Sequence, residues 1–460
     1  MSLELLLGRR DFLVRTGLVL GAAGLGGIAA GCDTGDGSEA QVSQPAVAAG
    51  SWNGVRAQFA LDPELRHFSA FYLSPHPRPV REAIDRHRQG LDADPTGYLH
   101  ENQIGLEGKV VEAAASYLGG RAEDFALTDS TTMGLGLLYG GLAVRPGQEI
   151  LTTEHDFYST HESLRLRAER DGVSVRRVRL YDEPAQASED AIVSRLVAAV
   201  RPETRVVAVT WVHSGTGVKL PVGALASALA DRRAGDEGER LLLCVDAVHA
   251  LGAQEMRLDE LGADFVVSGC HKWLFGPRGT GIVWGAGDAW TACTATIPSF
   301  TDNEELFAWI ESRRLSKPTN ALTMTPGGFH AFEYRRALAE AFDFQRTIGM
   351  EPVAKRTREL ARRLKDGLAE IAEGHAAHAE RRGGVGSGHV RGGRPTARSG
   401  GRRAAREGHR RDRDSLRRRV RSARDERARF RGRRGHRGPR SGGARLAPTR
   451  RRPLAAALAA

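Results

Sequence analysis

Between positions 241 and 285 the chain reads LLLCVDAVHALGA and then ADFVVSGCHKWLFGPRGTGIVWG, and this stretch restricts the fold more than any other. Its apolar runs at 241–245 and 265–267 are short, partly β-branched and bounded by Gly or Asp. That is the pattern of strands buried on both faces of a parallel sheet. Each run ends in polar residues: Asp246 and His249 after the first, Ser268, His271 and Lys272 after the second. Open α/β sheets keep their chemistry at the carboxyl ends of their strands. A carboxylate and an amine therefore arrive together at one sheet edge.

That pairing suits pyridoxal phosphate, whose aldehyde forms a Schiff base with a lysine and whose ring nitrogen stays protonated against a carboxylate. Taken singly, the same residues also read as a surface lysine in a loop and an aspartate at a strand end. The chain has only six lysines (109, 219, 272, 317, 355 and 365) among 67 basic residues. Arginine replaces lysine as a surface cation but does not lose its proton to become a nucleophile. Lys272, flanked by His271 and Trp273 and followed by GPRGTG, is the candidate of the six.

DAVHALG followed by SGCHKWLFGPRGTGIVWG closely resembles the class V aminotransferase family of fold-type I pyridoxal-phosphate enzymes. That family includes cysteine desulfurases, serine–pyruvate-type aminotransferases and kynureninases, and the HKW–GPRGTG form looks most like its isopenicillin N epimerase-like branch. The resemblance runs from about position 67 to about 372. It implies an α/β three-layer sandwich with a mainly parallel sheet, pyridoxal 5'-phosphate as cofactor, a small C-terminal domain and a homodimer. Alternation in the body agrees with the sheet. Strands are expected at 125–127, 149–153, 174–180 and 205–212, and helices at 79–90, 101–118, 189–200, 221–233, 330–348 and 353–372. Such alternation means parallel strands joined by right-handed crossovers. The segment from 285 to 320 reads as irregular.

Site residues follow by position. Ser130, Thr131 and Thr132 open a helix, where hydroxyl residues serve as N-caps and where exposed N–H groups also bind anions. In the resembling family this turn cradles the cofactor phosphate, joined by Ser268 and His271. His155 matches the residue placed against the pyridine ring, with Tyr158 in reserve. Ser214 falls where relatives carry an Asn on the ring oxygen, and His249 matches a Gln or His with the same contact. Asp246 would pair with the ring nitrogen. Lys272 would hold the cofactor and then act as general acid and base at the substrate α-carbon. Thr325, in TMTPGG, matches a threonine that reaches the phosphate of the neighbouring subunit. The segment HFSAFYLSPHPRPVREAIDRHRQG (67–90) helps cover the active site in the family, and reads equally as a plain docking segment. No metal site is expected.

Both ends differ from the body. Arg9-Arg10-Asp11-Phe12-Leu13 before an apolar run at 18–30 has the pattern of a twin-arginine export signal, too short to span a bilayer. Ala29-Ala30-Gly31-Cys32 resembles a lipobox, so Cys32 is a candidate lipid anchor, and positions 33–65 read as a linker. An extracytoplasmic enzyme, free or membrane-anchored, is the expectation. The four cysteines make no disulfide framework in a chain of this length. Residues 376–460 hold 27 of the 67 basic residues, all Arg, and 6 of the 56 acidic ones, which leaves 40 basic and 50 acidic before them. The body is thus acidic, and its charge gives no reason to expect a specific nucleic-acid partner. The Arg/Gly-rich tail from 375 has no period of 3.6 or 2 and cannot build a core. It reads as a solvated appendage, a nucleic-acid-binding segment or, the reading preferred, out-of-frame translation that truncates the small domain begun at 326–374. The large cofactor domain is expected at 66–325.

An exported pyridoxal-phosphate enzyme acting on an amino acid or amine is the leading expectation, by transamination, epimerisation or lyase chemistry. The rival is a non-catalytic lipoprotein or a truncated product with an incomplete fold.

Overall fold

A computed structural model describes residues 51–233, 240–300, 303–312, 318–369, 374–376 and 390–392. The export signal, Cys32 and nearly all of the arginine-rich tail lie outside the described residues.

Seven strands form one sheet: β1 (Phe125–Thr128), β2 (Glu149–Thr153), β3 (Ser174–Val178), β4 (Thr204–Thr210), β5 (Leu242–Asp246), β6 (Phe265–Gly269) and β7 (Gly281–Gly285). Their spatial order is β1-β7-β6-β5-β4-β2-β3. All pairings are parallel except those of β7, which runs against both β1 and β6. The expected three-layer α/β sandwich is borne out. β7 is the strand that the reading above leaves inside the GPRGTGIVWG motif.

Side chains on a strand alternate between faces, and here the two faces feed two separate cores. Leu243, Val245, Val207, Val209 and Val266 pack into one, while Leu242, Cys244, Val206, Ala208, Phe265 and Val267 pack into the other. Helices Arg78–Ala93, Pro95–Leu118, Glu189–Ala199, Val222–Ala228 and Leu338–Ile348 cover the first face. Helices Thr131–Gly141 and Tyr158–Asp171 cover the second. That two-sided burial is why the strand runs carry no polar alternation.

Several boundaries differ from expectation. Helix Pro95–Leu118 begins earlier than 101, with Asp94 as its N-cap (Gly97 N–H to the carboxylate, 2.9 Å) and Pro95 in its first turn. The helix expected at 330–348 is two, Phe332–Arg336 and Leu338–Ile348, which meet at Ala337 with no Gly or Pro to mark the change. The segment expected to be irregular holds a 3-10 turn at Gly287–Ala292 and a helix at Asn303–Ser312. Residues inside the expected linker pack on the body: Trp52–Arg56 is a helical turn and Phe59 meets Phe275 edge-on at 5.0 Å. In the tail region Gly374–Ala376 and Val390–Gly392 form a short antiparallel pair. Cys244, Cys270 and Cys293 are free and buried.

Candidate active site

The carboxyl ends of β1, β2, β4, β5 and β6 share one edge of the sheet, and the polar residues singled out in the sequence cluster there. Thr131, first residue of helix Thr131–Gly141, accepts the Gly269 N–H on Oγ1 at 2.8 Å, so the helix start is stapled to the end of β6. Ser130 caps that helix through Met133 N–H at 3.1 Å. Gly269 has no room for a side chain: a Cβ would lie 2.8 Å from Thr131 Oγ1 and 2.9 Å from His271 Cε1. Thr132 is exposed on the same turn, and Ser268 is buried with its hydroxyl on Gly269 O at 3.1 Å. The positive end of the helix dipole is therefore held beside the end of β6, a general setting for an anion.

Asp246 closes β5 and is sealed from solvent. Its Oδ1 accepts Val248 N–H at 3.0 Å. Burial pushes its carboxyl up to about 7, against the Val248 hydrogen bond and the Lys272 charge, which favour the anion. Lys272 is half-buried, and burial lowers its amine below the ordinary lysine range while Asp246 opposes that shift. His249 links Lys272 to Trp273: Nε2 lies 3.3 Å from Lys272 Nζ, and Nδ1 accepts Trp273 Nε1–H at 3.3 Å. Burial and then the Lys272 charge hold His249 down to about 3. His271, lowered by burial and by Lys272, is shifted in the same direction.

The backbone that carries Lys272 is gripped from outside the sheet. Ser74 donates its N–H to His271 O (3.1 Å), and its hydroxyl lies 3.0 Å from His271 O and 2.6 Å from Lys272 O. Gln345, fully buried on helix Leu338–Ile348, donates to Trp273 O at 2.8 Å. Gly252, at φ +81°, lets the chain pass where a Cβ would come within 2.5 Å of the Trp273 and Leu274 backbone. Phe275 is the one non-glycine residue at positive φ among those described (+63°). A left-handed phenylalanine costs about 1–2 kcal/mol, and its edge-on contact with Phe59 is part of what retains it.

Further expected residues follow the ends of β2 and β4, and one lies apart. His155 stacks on Tyr181, with centroids 3.8 Å apart and planes 7° from parallel, and its Nε2 accepts Leu180 N–H at 3.2 Å. Tyr158 is exposed at the start of its helix, so His155 is the better placed of the two. Ser214 is half-buried in the turn after β4, beside His213, whose Nδ1 lies 2.8 Å from Tyr181 Oη. Burial lowers His213 to about 4. Thr325 is drawn inward: its hydroxyl accepts Leu127 N–H at 3.1 Å and donates to Ala321 O at 3.0 Å, both within its own chain. It lines a largely apolar cavity of about 340 Å³ with Phe125, Leu127, Phe300 and Phe329. That cavity shares no lining residue with the Lys272 turn.

Ser74, Gln345, Trp273 and Tyr181 were not named as site residues from the sequence. Ser74 and Gln345 lie 198 and 72 positions from the carbonyls they hold, and only the fold brings them close.

Comparison with known proteins follows the same lines. The family model for aminotransferase class-V matches residues 107–397. Isopenicillin N epimerase of Amycolatopsis lactamdurans is 28% identical over 328 residues, covering 70% of this chain and 80% of that protein. Isopenicillin N epimerase of Streptomyces clavuligerus is 28% identical over 237 residues, 52% of this chain and 57% of that one. Among solved structures, a C-DES mutant with glycine covalently linked to its PLP cofactor superposes with a TM-score of 0.63 at 19% identity, covering 72% of this chain and 83% of that one.

Proposed function

Since the chain belongs to the class V aminotransferase family, a family of pyridoxal-phosphate enzymes, we propose that Lys272 is its cofactor lysine and that it acts at the α-carbon of an amino acid or amine. One observation carries this reading: a half-buried amine of lowered basicity at one strand end, beside a buried carboxylate that no arginine neutralises among the described residues. The residues fit the cofactor. A pyridinium nitrogen is the cation Asp246 lacks, and the helix start at Ser130–Thr132, with Ser268 and His271, suits a phosphate. Bound, the cofactor supplies the electron sink for charge developing at the α-carbon.

The chain's own groups do the rest. Lys272, its basicity lowered by burial, serves as nucleophile and then as proton carrier. Asp246 holds its negative charge most readily against a cation, so it favours a protonated ring nitrogen. His249 offers a hydrogen-bond donor for the ring oxygen. His155, backed by Tyr181, offers a flat ring held in a fixed plane. Epimerisation is the reaction we favour within this class, supported by the epimerase relatives and by the cysteines. Burial raises Cys293 to about 12 and Cys244 and Cys270 further, which leaves no ready thiolate among the described residues for desulfuration. The twin-arginine pattern supports export of a folded, loaded enzyme, with Cys32 as a lipid anchor. The exposed aromatic side chains of Phe300 and Phe329 beside Thr325 support a homodimer.

The purified full-length protein is expected to be yellow, and borohydride followed by peptide mapping should fix the cofactor on Lys272. Lys272→Ala should lose both the attachment and the activity on amino acids. Colourless wild-type protein that takes up no added cofactor would overturn the proposal in favour of a non-catalytic product.

A further inference from the structure

Three side chains stand in a row above β5 and β6. Trp273 Nε1 is 3.3 Å from His249 Nδ1, and His249 Nε2 is 3.3 Å from Lys272 Nζ. An indole nitrogen only donates, so Nδ1 of His249 is the acceptor. Burial, with the Lys272 charge, keeps this imidazole neutral at any ordinary pH. A neutral imidazole that accepts at Nδ1 carries its proton on Nε2, the atom next to Nζ. An ammonium has only donors and can make no hydrogen bond with Nε2–H. A free amine has a lone pair and accepts it.

We propose that Trp273 is a positioning residue: its indole N–H fixes the Nε2–H tautomer of His249, which in turn favours the neutral, nucleophilic form of the Lys272 amine. The charged and titratable groups facing that amine are Asp246 and His249 from the end of β5 and His271 from its own turn. Asp246 acts in the opposite sense and His271 is shifted towards its neutral form, so the His249 donor opposes the one anion that faces the amine among the described residues. Without the indole, His249 is free to protonate Nδ1 and turn Nε2 into an acceptor for an ammonium. The consequence for catalysis rests on Lys272 being the cofactor lysine; the tautomer itself does not.

The test reads the lysine and not turnover. Competitive acetylation of the full-length chain stripped of its cofactor, followed by mass spectrometry, gives the pH midpoint of the Lys272 amine. Trp273→Phe should raise that midpoint by about one unit, a tenfold shift in proton affinity. In a His249→Gln background, where a carboxamide chooses its orientation without the indole, adding Trp273→Phe should move it by less than about 0.3 unit. An unmoved midpoint in the single variant, or equal shifts in both backgrounds, overturns the proposal. Should Trp273→Phe fail to fold, the long-range ¹H–¹⁵N spectrum of the wild-type protein decides: a proton on Nε2 of His249 supports it and a proton on Nδ1 overturns it. Failure of borohydride trapping at Lys272 is a separate result, and would remove the proposed function while leaving the tautomer measurement intact.

Discussion

Asp264 and Asp246 are both sealed from solvent, and they sit at opposite ends of the same pair of neighbouring strands. Asp264, just before β6, is saturated. It binds Arg233 through Nε (3.1 Å) and Nη2 (2.8 Å), pairs with Arg240, and accepts Leu243 N–H at 2.7 Å. Among the described residues, Asp246 has one backbone N–H and no arginine. A buried carboxylate closed by two guanidinium groups is structural; removing one side leaves a charge without a partner. A buried carboxylate left open is a group held ready for a cation that arrives later. Residue type and depth are the same at both ends. What separates scaffold from site is whether the fold completes the ion pair itself.

The contrast is broken most directly at Asp246. Asp246→Asn should lower activity on the order of 10²–10³-fold or more, because a fixed charge at the reacting centre is lost. Its stability effect in the cofactor-free protein has the opposite sign. Burial raises this carboxyl from 3.8 to about 7. Its favourable contribution is therefore complete below about pH 4 and disappears as pH rises through 7, a difference on the order of 4 kcal/mol. The cofactor-free Asn variant should resist urea better than the parent at pH 8, and the advantage should vanish near pH 4. An Asn variant less stable than the parent at pH 8 would show that Asp246 is a second Asp264.

The converse substitution sharpens the comparison. Asp264→Asn strands two partly buried arginines and should cost about 3–5 kcal/mol of folding stability. The molecules that remain folded should keep their yellow colour and their KM. Denaturation followed alongside cofactor absorbance separates the two effects. Loss of colour in fully folded Asp264→Asn protein would mean that the lower rim also shapes the site.

Much of this was legible in the chain. Asp246, His249, Ser268, His271 and Lys272 lie within one run of 27 residues whose strand pattern is unambiguous, because both faces of β5 and β6 are buried and no polar alternation interrupts them. The alternation of strands and helices and the helix start at Thr131 followed from the same pattern. Less legible were elements without a local marker. The break at Ala337 has neither Gly nor Pro, and β7 is a short apolar run inside a glycine-rich motif. Least legible were Ser74 and Gln345. A serine or glutamine that holds a distant carbonyl looks, in sequence, like any loop or helix residue. Thr325 shows a related limit: no local marker announces that its hydroxyl ties β1 to the Ala321–Met324 turn within its own chain.

The smallest expected effect belongs to Ser74, and it tests whether the lysine turn is tuned from outside the sheet. One hydroxyl proton serves one acceptor at a time, and the 2.6 Å contact favours Lys272 O over His271 O at 3.0 Å. Ser74→Ala removes that donor but not the Ser74 N–H on His271 O, nor the Phe275 N–H that also reaches Lys272 O at 3.0 Å. Both carbonyls therefore keep a partner, and the loss should be that of one net hydrogen bond, about 1 kcal/mol, not the larger penalty of an orphaned buried oxygen. If the bond serves to hold Lys272 in register, cofactor affinity and kcat should each fall about fivefold while KM stays close to wild type. Ser74→Thr, which retains the hydroxyl, should recover most of both. A purely structural serine predicts a lower melting temperature in Ser74→Ala with cofactor affinity unchanged, and that pattern would place the control of Lys272 within its own turn and in the Trp273–His249 pair beside it.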